Sequence, residues 1–432
     1  MEVIERLESE VRTYSRSFPV TFARGSGSEM FTKEGKPYLD FFAGAGALNY
    51  GHNHPVLRDR LLAYISEGGI THSLDMTTEA KCAFLSAFER RVLLPRDLKY
   101  KVMFPGPTGT NAVEAALKLA RKVTQRSHIV AFTNAFHGMT LGSLSVTGNA
   151  GKRGGAGVPL SHVVRAPFDG YFGPDVDSLD QLDLLIGDRS SGIDAPAAFL
   201  VETVQAEGGV NVASARWLRA LADLARSHGS LLIIDDIQVG CGRTGPFFSF
   251  EDLGVTPDIV CLSKSLSGFG LPFALTLMRP ELDVWSPGEH NGTFRGHNLA
   301  FVTATAALDE FWSDGKLHDA VAHKSAHARM RLEKIAAASG ATVRGRGLIL
   351  GLAFETPAVA RTAARHAFSD GLLIETAGAD DQVLKLLPPL TVSMAELDRG
   401  LDIIERATLR ALDTARPAHK PFPVKGNLAV VS

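Results

Sequence analysis

Short apolar runs bounded by turn-forming residues recur through the middle of the chain. The runs at 231–234 and 258–262 are two of them, and 128–133 and 195–201 follow the same pattern. Apolar runs of this length between chain-breaking residues predict strands that are buried on both faces of a parallel sheet.

Between these runs, apolar residues recur at the spacing of an amphipathic helix. The stretches 104–123, 215–228 and 318–338 each carry this pattern. Within the first of them, Asn111 and Glu114 stand three residues apart, which predicts a capping box at the start of its helix. Strands that alternate with helices in this way predict an α/β fold.

Composition and charge narrow the possible functions. The chain has 432 residues, of which 45% are hydrophobic and 21% charged, and its formal net charge is −2. This length predicts two or three domains, and this charge gives no reason to expect a nucleic acid or an anionic membrane as partner. The three cysteines lack metal-like spacing, so we expect no metal and a reducing, cytoplasmic location. The first residues are unlike a signal peptide, and no apolar run is long enough to cross a bilayer.

Two predicted strands end in residues that do not belong in an apolar core. Asp235 and Asp236 follow the run 231–234, and Lys264 follows 258–262. Ligands of open α/β sheets bind outside the carboxyl ends of the strands. A lysine amine and a carboxylate at two such ends could hold an aromatic aldehyde cofactor. For each residue alone, a solvated lysine or a capping aspartate is the simpler interpretation.

The complete motifs around these residues resemble a known family. DDIQVGCGRTG at 235–245, followed by SKSLSGFGLP at 263–272, is similar to the class III (ornithine/GABA-type) aminotransferases, which depend on pyridoxal 5′-phosphate (PLP). The resemblance implies an α/β fold of type I. It predicts a large cofactor-binding domain (61–310) with a mostly parallel sheet flanked by helices. A small α/β domain would come from an N-terminal arm (1–60) and a C-terminal part (311–415), followed by a mobile tail (416–432).

The resemblance also implies roles for individual residues. Lys264 would be the Schiff-base lysine, Asp235 the partner of the pyridine nitrogen, and Gln238 a contact of the 3-oxygen. The phosphate cradle would consist of Thr108, Gly109 and Thr110. The surroundings of the cofactor ring would include Phe136, His137 and Glu202. A loop donated across a dimer interface would add Thr293. From the residues of this stretch alone, an ordinary capped helix is the better interpretation. Thr293 implies a homodimer with shared active sites, which could pair into a tetramer.

A second group of residues is expected to bind the substrate. Asn49 lies on the family's N-terminal pattern at the substrate entrance. Glu207 resembles a gate glutamate that pairs with a C-terminal arginine, and Lys385 stands at the place of that arginine. Met139 replaces an arginine that binds a substrate carboxylate in many members, and we hypothesise that Arg295 supplies part of this function.

The implied reaction is ping-pong transamination with L-glutamate as amino donor. Finer similarity within the family implies L-aspartate 4-semialdehyde as acceptor and L-2,4-diaminobutyrate as product, as in ectoine biosynthesis. The residues alone leave ornithine, acetylornithine and 4-aminobutyrate open as amino substrates. An aminomutase, a decarboxylase or a non-catalytic binding protein on the same fold also remains possible.

Overall fold

The computed structural model describes residues 2–173 and 176–415, so the predicted mobile tail at 416–432 lies outside the described residues. The strands are, in chain order, β1 (Phe22–Ser26), β2 (Glu29–Thr32), β3 (Pro37–Asp40), β4 (Lys101–Met103), β5 (Ile129–Phe132), β6 (Val163–Ala166), β7 (Ala198–Val201), β8 (Val204–Gln205), β9 (Asn211–Val212), β10 (Leu231–Asp235), β11 (Ile259–Leu262), β12 (Leu275–Met278), β13 (Thr342–Arg346), β14 (Ile349–Ala353), β15 (Leu372–Leu373), β16 (Glu375–Ala377) and β17 (Val383–Leu386).

Helices separate most of these strands. They are α1 (Glu2–Leu7), α2 (Tyr14–Ser17), α3 (Ala43–Gly46), α4 (Pro55–Ser66), α5 (Glu79–Phe88), α6 (Gly109–Thr124), α7 (Leu141–Val146), α8 (Ala150–Arg153), α9 (Ser178–Gly187), α10 (Ala215–Ser227), α11 (Asn298–Phe311), α12 (Lys316–Ser339), α13 (Pro357–Ser369) and α14 (Met394–Ala415). None of the helices in the described ranges combines the length and the apolar character that crossing a bilayer requires.

A seven-stranded sheet forms the centre of the larger part of the molecule. Its order is β4-β12-β11-β10-β7-β5-β6, and only β12 runs against the other strands. Alternate residues of β10 pack on opposite faces: Ile233 joins the core beneath α6, and Ile234 joins the core beneath α10. Two covered faces explain why this strand is apolar up to its last residue, Asp235, and the predicted parallel sheet flanked by helices is confirmed.

Two smaller sheets carry residues from both ends of the chain. β15 pairs in parallel with β3, so a C-terminal strand completes an N-terminal sheet of order β1-β2-β3-β15. The other sheet has the order β13-β14-β17-β16. Its strands and helices α12, α13 and α14 share one hydrophobic core with Phe41 of the N-terminal segment. The domain boundaries at residues 60 and 310 stay predictions.

The start of α6 differs from the prediction. The helix is capped by Thr108, whose backbone N–H donates to Oδ1 of Asn111, so the predicted cap at Asn111 was wrong. Glu114 instead accepts hydrogen bonds from the hydroxyl of Thr140 (2.6 Å) and from the backbone of Ser143 (3.0 Å) at the start of α7. The free N–H groups at the start of α6 therefore lie three residues earlier than the cap prediction placed them.

Candidate active site

The ends of β10 and β11 meet at one cavity. The strands are parallel, with Asp235 opposite Cys261, and Lys264 follows β11 in a 3₁₀ turn. A cavity of about 160 Å³ opens at this edge of the sheet, lined by Gly109, Thr110, Phe136, His137, Gly138, Glu202, Val204, Glu207, Asp235, Ile237, Gln238, Val239 and Lys264. The sequence prediction that Asp235 and Lys264 come together is therefore confirmed.

Two hydrogen-bond donors of the protein hold the carboxylate of Asp235. Its Oδ2 lies 2.7 Å from Nδ1 of His137, and its Oδ1 accepts from the backbone N–H of Ile237 at 3.1 Å. An ionised carboxylate can only accept, so Nδ1 of His137 carries the proton of this bond. The sequence grouped His137 with the cofactor-binding residues, and the structure adds that it orients Asp235. No local motif signals that contact, because 98 positions separate the two residues.

Lys264 has an unusual backbone and an altered amine. Its φ of 52° is left-handed, a conformation that costs a non-glycine residue of the order of 1 kcal/mol and is found mainly at functional sites. Burial lowers the pKa of Lys264, while the nearby Glu207 opposes this shift. A lowered pKa raises the fraction of free amine, the form needed for a nucleophile or a general base.

Glu202 and Phe136 also line the cavity and contact each other. One carboxylate oxygen of Glu202 accepts from the backbone N–H of Phe136 at 3.1 Å. Burial raises the pKa of Glu202 well above its usual range, and the charge of Asp235 raises it further. Glu202 therefore takes up a proton more readily than an ordinary carboxyl, which limits repulsion between the two buried acids.

The start of α6 supplies an anion site beside these groups. Gly109 and Thr110 line the cavity at the helix N-terminus, where free N–H groups and the helix dipole favour negative charge. The hydroxyl of Thr110 lies 2.7 Å from that of Thr140 and 2.9 Å from that of Ser143. A Cβ on Gly109 would lie 2.9 Å from Cδ1 of Ile237, so a larger residue here would require the Ile237 side chain to shift.

A network of charged and polar side chains lies at another side of the cavity. Nζ of Lys385 lies 2.7 Å from Glu207 and 3.0 Å from Glu375, and the hydroxyl of Tyr14 donates to Glu375 at 3.4 Å. Burial would raise the pKa of Glu207, but Lys385 and then Lys264 lower it to about 2. The predicted Glu207–Lys385 proximity is confirmed. Glu375 and Tyr14 were missed, although Glu375 follows an apolar run just as Asp235 and Glu202 do.

Other candidates lie away from the cavity wall within the described chain. Asn49 is buried, donates to the carbonyl of Cys241 at 2.9 Å and accepts from Arg243. The carbonyl of Thr293 contacts His72 at 2.9 Å. Nη1 of Arg295 lies 3.7 Å from Asp75. The substrate roles of Asn49 and Arg295 and the cofactor role of Thr293 stay predictions.

Comparison with known proteins identifies the family. The model of the aminotransferase class-III family matches residues 11–408. The chain is a class III aminotransferase. An ornithine aminotransferase from Toxoplasma gondii, described with partial occupancy of PLP at its active site, superposes with a TM-score of 0.83. It has 27% sequence identity, and the match covers 96% of this chain and 94% of that chain.

Sequence relatives within the family are closer. A diaminobutyrate–2-oxoglutarate transaminase from Nocardia farcinica is 58% identical over 94% of this chain and 93% of its own. A protein of the same name from Bordetella parapertussis is 56% identical over 97% of each chain.

This class III aminotransferase uses PLP, and the cavity fits that cofactor. It combines an anion site at a helix start, a buried carboxylate and a lysine of lowered pKa. In addition, Oε1 of Gln238 is buried without a hydrogen-bond partner among the described residues, while its Nε2 donates to Ala45 at 2.6 Å. An unpaired buried acceptor beside the cavity is expected where a bound group supplies the missing donor.

Proposed function

We propose that this aminotransferase transfers the amino group of L-glutamate to L-aspartate 4-semialdehyde, giving L-2,4-diaminobutyrate and 2-oxoglutarate. The observation that carries the proposal is the set of relatives that share the name diaminobutyrate–2-oxoglutarate transaminase. Eight of them, from several bacterial genera, are 52–58% identical over 94–97% of this chain.

The lining residues would hold PLP at its distinct chemical groups. Gly109 and Thr110, with Thr108 at the helix cap, would bind the phosphate, and Asp235 would face the ring nitrogen. Gln238 would contact the 3-oxygen, and Phe136 would pack on the ring. An offset aromatic contact of this kind adds roughly 0.5–1.5 kcal/mol beyond burial.

The side chains around the bound cofactor would each have a defined task. When bound, PLP supplies an aldehyde that exchanges amino groups and a ring that accepts electrons from the reacting carbon. Lys264 would take a proton from the amine-bearing carbon of the substrate and return it elsewhere, because its lowered pKa leaves part of the amine free. His137 would hold Asp235 in line with the ring nitrogen through their 2.7 Å hydrogen bond.

Recognition of the substrate carboxylates needs a cation. Met139 is exposed and cannot form an ion pair with a carboxylate, and we infer that Arg295 supplies part of this function. Arg295→Ala is then expected to raise KM for both glutamate and the semialdehyde by roughly tenfold, the effect of losing one charged hydrogen bond. Unchanged KM values for both substrates would remove Arg295 from the site.

The assembly and its setting follow from the same proposal. A homodimer with shared active sites, which could pair into a tetramer, would bring Thr293 of one chain to the phosphate site of the other. The three cysteines are free, in keeping with a reducing, cytoplasmic compartment. The product would enter ectoine biosynthesis.

The decisive experiment follows 2-oxoglutarate release from PLP-loaded enzyme with L-glutamate and L-aspartate 4-semialdehyde. We expect glutamate-dependent turnover that Lys264→Ala abolishes. Ornithine, acetylornithine and 4-aminobutyrate, tested as amino donors to 2-oxoglutarate, should react at least tenfold more slowly than L-2,4-diaminobutyrate. Faster reaction of any of them would reassign the substrate, and turnover without glutamate would point to an aminomutase or a decarboxylase.

A further inference from the structure

Lys385 is shared between two carboxylates at the cavity wall. It stands on β17 directly opposite Glu375 on the neighbouring antiparallel strand β16, so the backbone fixes this pair. The side chain of Lys385 is 0% exposed and that of Glu375 8%, whereas that of Glu207 is 29% exposed and lines the cavity. Glu207 is thus the member that a substrate meets, and the other two lie behind it.

The ionised groups of this cluster do not balance. Counted as ionised, Glu207 and Glu375 bring two negative charges against the single positive charge of Lys385. Burial raises the pKa of Glu375, and the adjacent charge of Lys385 opposes this shift. A one-to-one pair of Glu207 with Lys385 would leave the wall neutral, so the excess charge is due to Glu375. The cluster also acts on the reacting amine: burial lowers the pKa of Lys264, Glu207 and Glu375 oppose this shift, and Lys385 adds to it.

We propose that Glu375 makes this wall net negative and thereby favours amino substrates with a second ammonium group over those with a second carboxylate. Glu375 is a positioning residue in this account, because it acts through Lys385 and Glu207. In a medium of effective dielectric about 20, a unit charge several ångströms away changes binding by roughly tenfold or more. The diamine part of the inference rests on the proposed function.

A comparison of two available compounds measures the effect of the second ammonium group. L-2,4-Diaminobutyrate and 4-aminobutyrate share the same carbon chain and differ by the 2-amino group. L-Glutamate provides the opposite case, because it brings a second carboxylate. The experiment measures kcat/KM of PLP-loaded enzyme for these three donors, with 2-oxoglutarate as acceptor for the first two and a 2-oxo acid such as pyruvate for glutamate.

Glu375→Gln removes the charge and keeps the size of the side chain. We expect the preference for diaminobutyrate over 4-aminobutyrate to fall about tenfold, and kcat/KM for glutamate relative to 4-aminobutyrate to rise. Glu375→Asp keeps the charge and should stay near the wild-type ratios. If Glu375 had a merely structural role, Glu375→Gln would lower kcat/KM for all three donors together. Ratios that change in opposite directions therefore separate the two explanations.

Tyr14→Phe provides a second variant that leaves the buried pair intact. The Tyr14 ring packs on Phe42 at 4.7 Å, and only the hydroxyl that donates to Glu375 is lost. Loss of this donor leaves the charge of Glu375 in place and less compensated, so we expect a smaller shift of both ratios, about twofold, in the directions opposite to those of Glu375→Gln. If Glu375→Gln does not fold, this variant decides, and unchanged ratios overturn the proposal.

The outcomes also separate this inference from the proposed function. Wild-type enzyme that does not use diaminobutyrate would refute the proposed function, and the ratio of glutamate to 4-aminobutyrate would then still test Glu375. Wild-type enzyme that prefers diaminobutyrate, with a folded Glu375→Gln variant within twofold of both wild-type ratios, would refute the role of Glu375 alone.

Discussion

Replacing His137 with phenylalanine removes one of the two protein donors to Asp235. The side chain of His137 is 0% exposed and that of Asp235 4% exposed, and Nδ1 lies 2.7 Å from Oδ2. This bond is therefore shielded from bulk solvent. The other ring nitrogen, Nε2, is buried without a hydrogen-bond partner in the described chain, so a phenyl ring leaves no additional polar group unsatisfied.

The structure sets the size of the expected effect. A hydrogen bond to a charged group contributes roughly 1.5–3 kcal/mol, which corresponds to roughly 10- to 150-fold. Because Asp235 would orient the ring nitrogen of PLP, this loss should appear in kcat of the PLP-saturated enzyme and in the Kd for PLP. Substrate KM should change little, because the lost hydrogen bond acts on Asp235 and on none of the proposed substrate-binding residues.

The assay combines steady-state kinetics at saturating PLP with a fluorescence titration of PLP. A matched control exists outside the cavity, where Nε2 of His52 lies 2.8 Å from Oδ2 of Asp40. His52→Phe removes the same kind of contact and should lower thermal stability while kcat stays within threefold. If His137→Phe also keeps kcat and Kd within threefold of wild type, Asp235 does not depend on this hydrogen bond.

Two further predictions test the surroundings of the cavity. Gly109→Ala should raise the Kd for PLP about tenfold, because the new methyl group would lie 2.9 Å from Ile237; Gly187→Ala, in open space at the end of α9, should leave the Kd unchanged in the same titration. Burial raises the pKa of Asp236 to about 7 from its ordinary value of 3.8, so the native state keeps a proton that the unfolded state loses, and stability should decline as pH rises between these values. Asp236→Asn should remove up to about 4 kcal/mol of that decline in urea unfolding followed from pH 4 to 8, and an unchanged pH profile would contradict the buried-acid assignment.

The strand ends were predictable because they depend on local pattern. An apolar run followed by one charged residue located Asp235, Glu202 and Lys264, and parallel pairing brought the three to one edge of the sheet. The cap of α6 was not predictable in the same way. Two residue pairs fit a capping pattern here, Thr108 with Asn111 and Asn111 with Glu114. The choice between the two pairs depends on the contact of Glu114 with α7, which the local sequence does not reveal.

Partners from distant segments set the limit of sequence reasoning. Tyr14 and Glu375 are 361 positions apart, and Lys385 and Glu207 are 178 apart. Periodicity and spacing describe what one element buries, and they carry no information about which charge on another element lies opposite. The resemblance to the family supplied the Glu207–Lys385 pair, but it gave no sign of the second carboxylate.

Arg243 shows how a motif residue can serve the site without touching it. It lies in the DDIQVGCGRTG motif, yet it is fully buried and donates to the carbonyls of Leu348 at 3.0 Å and of Pro388, and to Oδ1 of Asn49. These bonds join the segment after Asp235 to the N-terminal segment and to the chain just beyond Lys385. Burial lowers the pKa of Arg243 to about 9, and the charge of Asp40 opposes this shift. Loss of Arg243 should therefore disturb the placement of Lys385 relative to Asp235, which explains why a residue outside the cavity belongs to the same motif as the carboxylate inside it.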